Sequence, residues 1–153
     1  MLAKVVTVSD GVIAGTREDK SGDVAQTILT EAGFDVVERR VVADGVEPVR
    51  TILAELTAGF AGLVVTTGGT GFGPRDLTPE GTAAVLERDA PGLAEAMRLA
   101  SPLGRLSRQR AGTVGTALVL NLPGSSNGVK ECLAAVLDVV PHALDLMAGG
   151  RPH

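Results

Sequence analysis

The chain alternates between short apolar runs and stretches in which apolar residues recur every three or four positions. Leu2–Val8 is the first run, rich in β-branched residues and closed by Ser9-Asp10-Gly11; it predicts a strand entering a loop. Polar, glycine-punctuated sequence follows to Gly22. From Asp23 the spacing of Val24, Ile28 and Ala32 predicts a helix that stops at Gly33. Asp35–Val42 predicts a second strand. Past Gly45–Pro48, the positions Val49, Ile52, Leu53 and Leu56 predict an amphipathic helix. Gly62–Thr67 (GLVVTT) is a short continuous run, the mark of a strand buried on both faces.

That strand ends in Gly68-Gly69-Thr70-Gly71, followed by the loop FGPRDLTPE. Thr78 as cap and Pro79 in the first turn predict a helix through Val85 and Leu86, broken near Pro91-Gly92 and resumed over Leu93, Ala96 and Met97. Ser101–Arg110 reads as loop and Thr113–Leu122 as strand. The last long helix is predicted over Val129, Cys132, Leu133, Val136, Leu137 and Val140. Pro141 kinks or restarts it, and His142–Met147 continues as a short helical turn. Strands alternating with helices, without repeat or linker, predict a single three-layer α/β domain over residues 1–153, a mostly parallel sheet flanked by helices. Such sheets bind ligands beyond the carboxyl ends of their strands. Three strand ends carry polar or glycine-rich sequence: Ser9 to Gly11, Gly68 to Gly71, and Asn121 to Ser125. They are expected to face one crevice.

Composition narrows the chemistry. At 153 residues, 44% hydrophobic and 21% charged, the chain can bury one core of its own. Fourteen basic against eighteen acidic residues leave a formal charge of −4, which argues against nucleic acid or an anionic membrane as partner. One cysteine, Cys132, and two histidines, His142 and His153, exclude a disulfide framework and a Cys/His metal cluster. Cys132 is expected as a small buried apolar residue. With no Trp or Tyr there is no base-stacking platform. The apolar run at the N-terminus is too short for a signal peptide or a span, so a cytoplasmic location is expected.

The glycine run Gly68 to Gly71 lets the backbone turn sharply and bring N–H groups to an anion, or it is simply a tight turn. It is neither a P-loop nor a dinucleotide fingerprint. Asp76 and Glu80 follow it: a carboxylate there carries Mg²⁺, orients a nucleophile or accepts a proton, or it serves a helix start. Asp10 and Asp44 sit at strand ends, as loop caps or as functional groups. Between Glu95 and Glu131 there is no acid, but there are Arg98, Arg105, Arg108, Arg110 and Lys130, a solvated basic face or a phosphate-binding segment. Asn121-Leu122-Pro123-Gly124-Ser125 supplies an amide, a hydroxyl and open N–H groups at a helix start.

Thr7-Val8-Ser9-Asp10, Gly15, Asp19, Ser21, Gly22, the stretch TTGGTGFGPRDLTPE from Thr66 to Glu80, Ser107-Arg108 and NLPGS from Asn121 to Ser125 together resemble the MogA/MoaB family of molybdenum-cofactor biosynthesis proteins. The same domain occurs as the G domain of gephyrin and of its plant counterpart. The resemblance covers nearly the whole chain. It implies a single α/β domain, usually a homotrimer, that adenylates molybdopterin with Mg-ATP, releases pyrophosphate and prepares the product for hand-over to a molybdenum-insertion enzyme.

The resemblance also implies site residues. Asp76 matches the catalytic carboxylate, which would hold Mg²⁺ or orient the attacking phosphate, and Asp44 matches a second catalytic acid. Gly68, Gly69, Thr70 and Gly71 match the loop that approaches pterin and phosphate, and Ser9, Asp10 and Glu80 are expected as binding residues beside it. Ser107, Arg108, Asn121, Pro123, Gly124 and Ser125 match positions lining the pterin or nucleotide pocket. Ser126 departs from the proline common in the family, which loosens a helix start without deleting a functional group. Two other readings compete: a family member that binds molybdopterin without turnover, and a nucleotide-dependent enzyme on another substrate.

Overall fold

A computed structural model describes residues 1–151; His153 and the end of the expected 1–153 domain lie outside the described residues. Six strands, β1 (Leu2–Val8), β2 (Asp35–Val42), β3 (Gly62–Thr67), β4 (Arg88–Asp89), β5 (Ala111–Val114) and β6 (Ala117–Leu122), form one sheet in the order β2-β1-β3-β6-β5-β4. Strands β2, β1, β3 and β6 run parallel, and β5 is antiparallel to both of its neighbours. The sheet is mostly parallel, as the sequence predicts.

The pleat divides the core. Val5, Leu63, Val65, Leu118 and Leu120 pack on one side with the helices α2 (Lys20–Glu31), α5 (Pro91–Leu99), α6 (Ser126–Ala134) and α7 (Val140–Met147). Val6, Val8, Val64 and Val119 pack on the other with α3 (Val46–Thr57). All six residues of β3 are buried, which is why it reads as an unbroken run while the edge strand β2 alternates.

Several boundaries differ from the sequence expectation. Helix α2 starts three residues before Asp23, because the Asp19 side chain caps it by accepting from the Gly22 N–H at 3.0 Å. A four-residue helix, α1 (Asp10–Ile13), capped by Ser9, occupies the start of the glycine-punctuated segment. Helix α4 (Thr78–Ala83) is preceded by Leu77 as N-cap; Thr78 is not the cap but its first residue, with its hydroxyl donating to the Gly68 carbonyl at 2.9 Å. The helix ends before Val85 and Leu86, and Pro91-Gly92 opens α5 instead of interrupting a helix, since Pro tolerates a first-turn position. The loop 101–110 contains a 3₁₀ helix over Pro102–Leu106, and the strand expected at 113–122 is the β5–β6 hairpin. The helix expected over 129–140 stops at Ala134 and restarts as α7, with Pro141 in its first turn.

Strand β1 has β2 on one side and β3 on the other, so the chain order reverses between β1 and β3. A crevice at the carboxyl ends of strands where the order reverses is the general ligand position of open α/β sheets.

Candidate functional site

A polar cleft of about 650 Å³ opens at that point. Its floor is the end of β3 and the loop behind it. Gly68 and Gly69 take φ values of +98° and +65°, reached freely only by glycine. A Cβ on Gly68 would collide with the Val8 carbonyl, and one on Gly69 with the Thr78 hydroxyl. The curl is fastened from outside: Gly68 N–H donates to Leu122 O at 3.1 Å, Thr78 N–H to Gly69 O at 3.0 Å, and Arg108 N–H to Thr70 O at 2.8 Å. The carbonyls therefore point into the protein. Among the described residues the N–H groups of Gly69, Thr70 and Gly71 have no acceptor in the chain, a small anion-accepting nest.

Gly124 sits 3.3 Å, measured from its would-be Cβ, from the Gly68 Cα, which brings the start of α6 against the glycine loop. Ser125 caps that helix, accepting from Gly128 N–H at 3.0 Å, and Ser125 and Ser126 line the cleft. The first turn of α2 reaches it as well: the Ser21 and Thr67 hydroxyls are hydrogen-bonded to each other on the cleft wall.

Asp44 and Asp76 both line the cleft. Burial pushes the Asp44 carboxyl above the usual aspartate range, and the charges of Asp10 and Asp76 push it the same way. Asp76 accepts from the Gly73 N–H at 2.8 Å, which holds it beside the loop. The arrangement suits Mg²⁺, which takes one or two carboxylates and fills its remaining positions with water and phosphate oxygens. No group of three or more His, Cys, Asp or Glu side chains able to cage a metal exists among the described residues.

The expected site residues separate into three sets. Ser9, Asp44, Gly68 to Gly71, Asp76, Gly124 and Ser125 line the cleft. Ser107 and Pro123 line a second, more apolar cavity of about 280 Å³, which shares Thr70 and Ser125 with the cleft. Asp10, Glu80, Arg108 and Asn121 line neither and act as braces. The Asp10 carboxylate is engaged by the Arg75 guanidinium, which holds it below the usual range. Asn121 is fully buried: its amide donates to Thr66 Oγ1 and Thr82 Oγ1 at 3.0 and 2.9 Å and accepts from Arg110 N–H at 3.1 Å.

The basic segment is also committed internally. Arg108 donates through Nε to Gly71 O at 2.9 Å, through Nη2 to Asp76 O, and through Nη1 to Glu80, whose other carboxylate oxygen is buried with no partner among the described residues. Arg98 donates to Gln109 O at 2.9 Å and Arg110 to Asp89 at 3.1 Å. The cations on the cleft are instead Arg17 and Lys20, in the polar segment before α2. Neither carries a signal in the sequence beyond its neighbourhood to Asp19, Ser21 and Gly22. Cys132 is buried, as expected, and burial raises its thiol pKa. No helix among the described residues is long and apolar enough to cross a membrane.

A family model described as "Probable molybdopterin binding domain" matches residues 4–142. The molybdopterin adenylyltransferase of Helicobacter pylori J99 is 39% identical over 152 residues, covering 95% of this chain and 86% of that protein. The Escherichia coli K12 protein of the same name is 36% identical over 165 residues, covering 95% and 84%. The crystal structure of the molybdopterin biosynthesis enzyme MoaB from Thermus thermophilus matches with a TM-score of 0.91 at 42% identity, over 97% of this chain and 96% of that one.

Proposed function

The chain belongs to the molybdopterin-binding domain family, and from that premise we propose that it is a molybdopterin adenylyltransferase of molybdenum-cofactor biosynthesis. An oxygen of the terminal phosphate of molybdopterin attacks the α-phosphorus of ATP. The bond from that phosphorus to the bridging oxygen of the β-phosphate breaks, and pyrophosphate leaves with the electron pair. The observation that carries this reading is one polar cleft that combines a glycine loop with open N–H groups and the two carboxylates Asp44 and Asp76.

The attacking phosphate is already anionic, so no strong base is required, and positioning and charge compensation supply the acceleration. The Gly69, Thr70 and Gly71 amides and the first turn of α6 receive phosphate oxygens. Asp76 and Asp44 would hold Mg²⁺. Its chemistry there is to offset the charge of the triphosphate, which would otherwise meet two carboxylates. The second cavity, reached past Thr70 and Ser125, receives a flat heterocycle. Residues 1–153 act as one domain in the cytoplasm, assemble as a homotrimer and pass the product to a metal-insertion enzyme.

A single-turnover reaction with molybdopterin, Mg²⁺ and labelled ATP tests the activity; it should yield adenylylated molybdopterin and one pyrophosphate per turnover. Molybdopterin binding without pyrophosphate release would replace the enzyme with a binding module. Sedimentation at micromolar concentration tests the trimer, and a monomer there would refute it.

A further inference from the structure

Three donors converge on the Gly11 carbonyl: the Thr16 N–H at 2.9 Å, the Thr16 hydroxyl at 3.1 Å and the Arg17 N–H at 3.1 Å. They fold the segment after α1 back on itself and lay the Arg17 side chain across Gly11. A Cβ on Gly11 would stand 2.7 Å from Arg17 Cδ and 3.0 Å from Cγ, so the bare glycine is a seat for the arginine stem. From that seat Arg17 lines the cleft. Lys20, the other cation there, stands 3.7 Å from Glu18, and Arg75 and Arg108 are committed to Asp10 and Glu80. Arg17 has no carboxylate or carbonyl bound to its guanidinium among the described residues. An exposed guanidinium held over a polar cleft with no acceptor among the described residues is matched to an anionic ligand, and its planar fork fits phosphate oxygens pairwise.

The geometry points to Arg17, seated on Gly11, as the residue that binds the pyrophosphate portion of the nucleotide. This assignment rests on the adenylyltransferase reading of the cleft. As the bond to the α-phosphorus breaks, negative charge accumulates on the departing pyrophosphate, and a cation already in place there lowers the barrier.

The test titrates Mg-pyrophosphate into the wild-type protein and three variants by calorimetry, with adenylylated product measured in parallel. Arg17→Gln should weaken pyrophosphate binding about tenfold or more. Arg17→Lys should recover only part of that loss. Gly11→Ala leaves every charge in place and should still weaken binding, because it moves the arginine off its seat. Thermal melts of all three should stay near wild type. Pyrophosphate affinity unchanged in Arg17→Gln, or no pyrophosphate binding by the wild type, overturns the assignment; wild-type affinity in Gly11→Ala overturns the seat. Product formed by a wild type whose pyrophosphate affinity ignores Arg17 leaves the enzyme standing without this inference. Arg17-dependent pyrophosphate binding with no adenylylated product leaves the anion site standing without the enzyme.

Discussion

Asp10 and Asp44 exchange hydrogen bonds: the N–H of Asp10 donates to the Asp44 carboxylate at 2.9 Å, and the N–H of Asp44 donates to the Asp10 carboxylate at 3.1 Å. The pair ties the start of α1 to the loop after β2 and thereby fixes where Asp44 faces the cleft. The two acids are nonetheless shifted in opposite directions. The Arg75 hydrogen bond lowers Asp10, while burial, with the charges of Asp10 and Asp76, raises Asp44.

The opposite shifts predict opposite pH signatures. The raised pKa of Asp44 means the folded state binds the extra proton, so its favourable contribution is full below the ordinary aspartate value of about 3.9 and is lost as pH rises through the raised one. Asp44→Asn keeps an acceptor for the Asp10 N–H and should have a Tm equal to or above wild type at neutral pH, with the difference vanishing in acid. Asp10 is the reverse: its contribution is present above about pH 3.9 and lost as pH falls through the lowered value. Asp10→Asn should therefore lower Tm at neutral pH and converge with wild type in acid. Paired melting curves across pH check both signs.

Asp76→Asn retains an acceptor for the Gly73 N–H and removes the charge facing the cleft. Fold and molybdopterin binding should survive, while adenylylation falls roughly 10²-fold or more, a loss of about 2.7 kcal/mol of transition-state stabilisation. Single-turnover rates against ATP measure it. An unaltered rate would remove Asp76 from the chemistry.

Arg108 acts on the glycine loop through the carbonyls of Gly71 and Asp76, so its loss should appear in stability as well as in rate. Arg108→Ala should cost about 1–2 kcal/mol, a charged hydrogen-bond value discounted for its partial exposure, and should depress kcat more than it raises the KM for ATP. Arg108→Lys should not rescue, because one ammonium cannot replace three forked donors. Thermal denaturation with steady-state kinetics separates this brace from a phosphate ligand, whose loss would raise KM at unchanged Tm.

Gly69→Ala places a side chain where φ is +65° and aims its Cβ at the Thr78 hydroxyl, with Asp44 Oδ1 3.1 Å away. The left-handed backbone alone costs about 1–2 kcal/mol. The variant should melt below wild type and lose activity through displaced Asp44. Gly71, whose φ is not positive, gives a milder control in Gly71→Ala.

The strands and the glycine loop were legible because their signals are local. GLVVTT is continuous since both faces are buried, and the glycines after it are demanded by backbone angles. The convergence of Ser9, Gly68 to Gly71 and Gly124 followed from strand direction alone. The arginines were not legible. The window from Glu95 to Glu131 lacks acids and so resembles a free basic face, but Arg108 and Arg110 find Glu80 and Asp89 before that window. Arg98 and the rest of Arg108 are taken up by carbonyls, which carry no mark in composition. Arg17 was hidden for the converse reason: its distinction is an absence of side chain at Gly11, in a loop with no periodicity to place it.

The complete burial of β3 has a consequence for how the molecule comes to exist. Its register is set by β1 on one side and β6 on the other, and β6 lies far downstream in the chain, so the strand stays half-paired until most of the chain is available. An uncharged, β-branched hexapeptide in that condition is a template for intermolecular pairing. The cleft therefore cannot mature ahead of the sheet. Refolding yield should fall with protein concentration, and the competing product should be an aggregate nucleated on the strand that later carries the glycine loop.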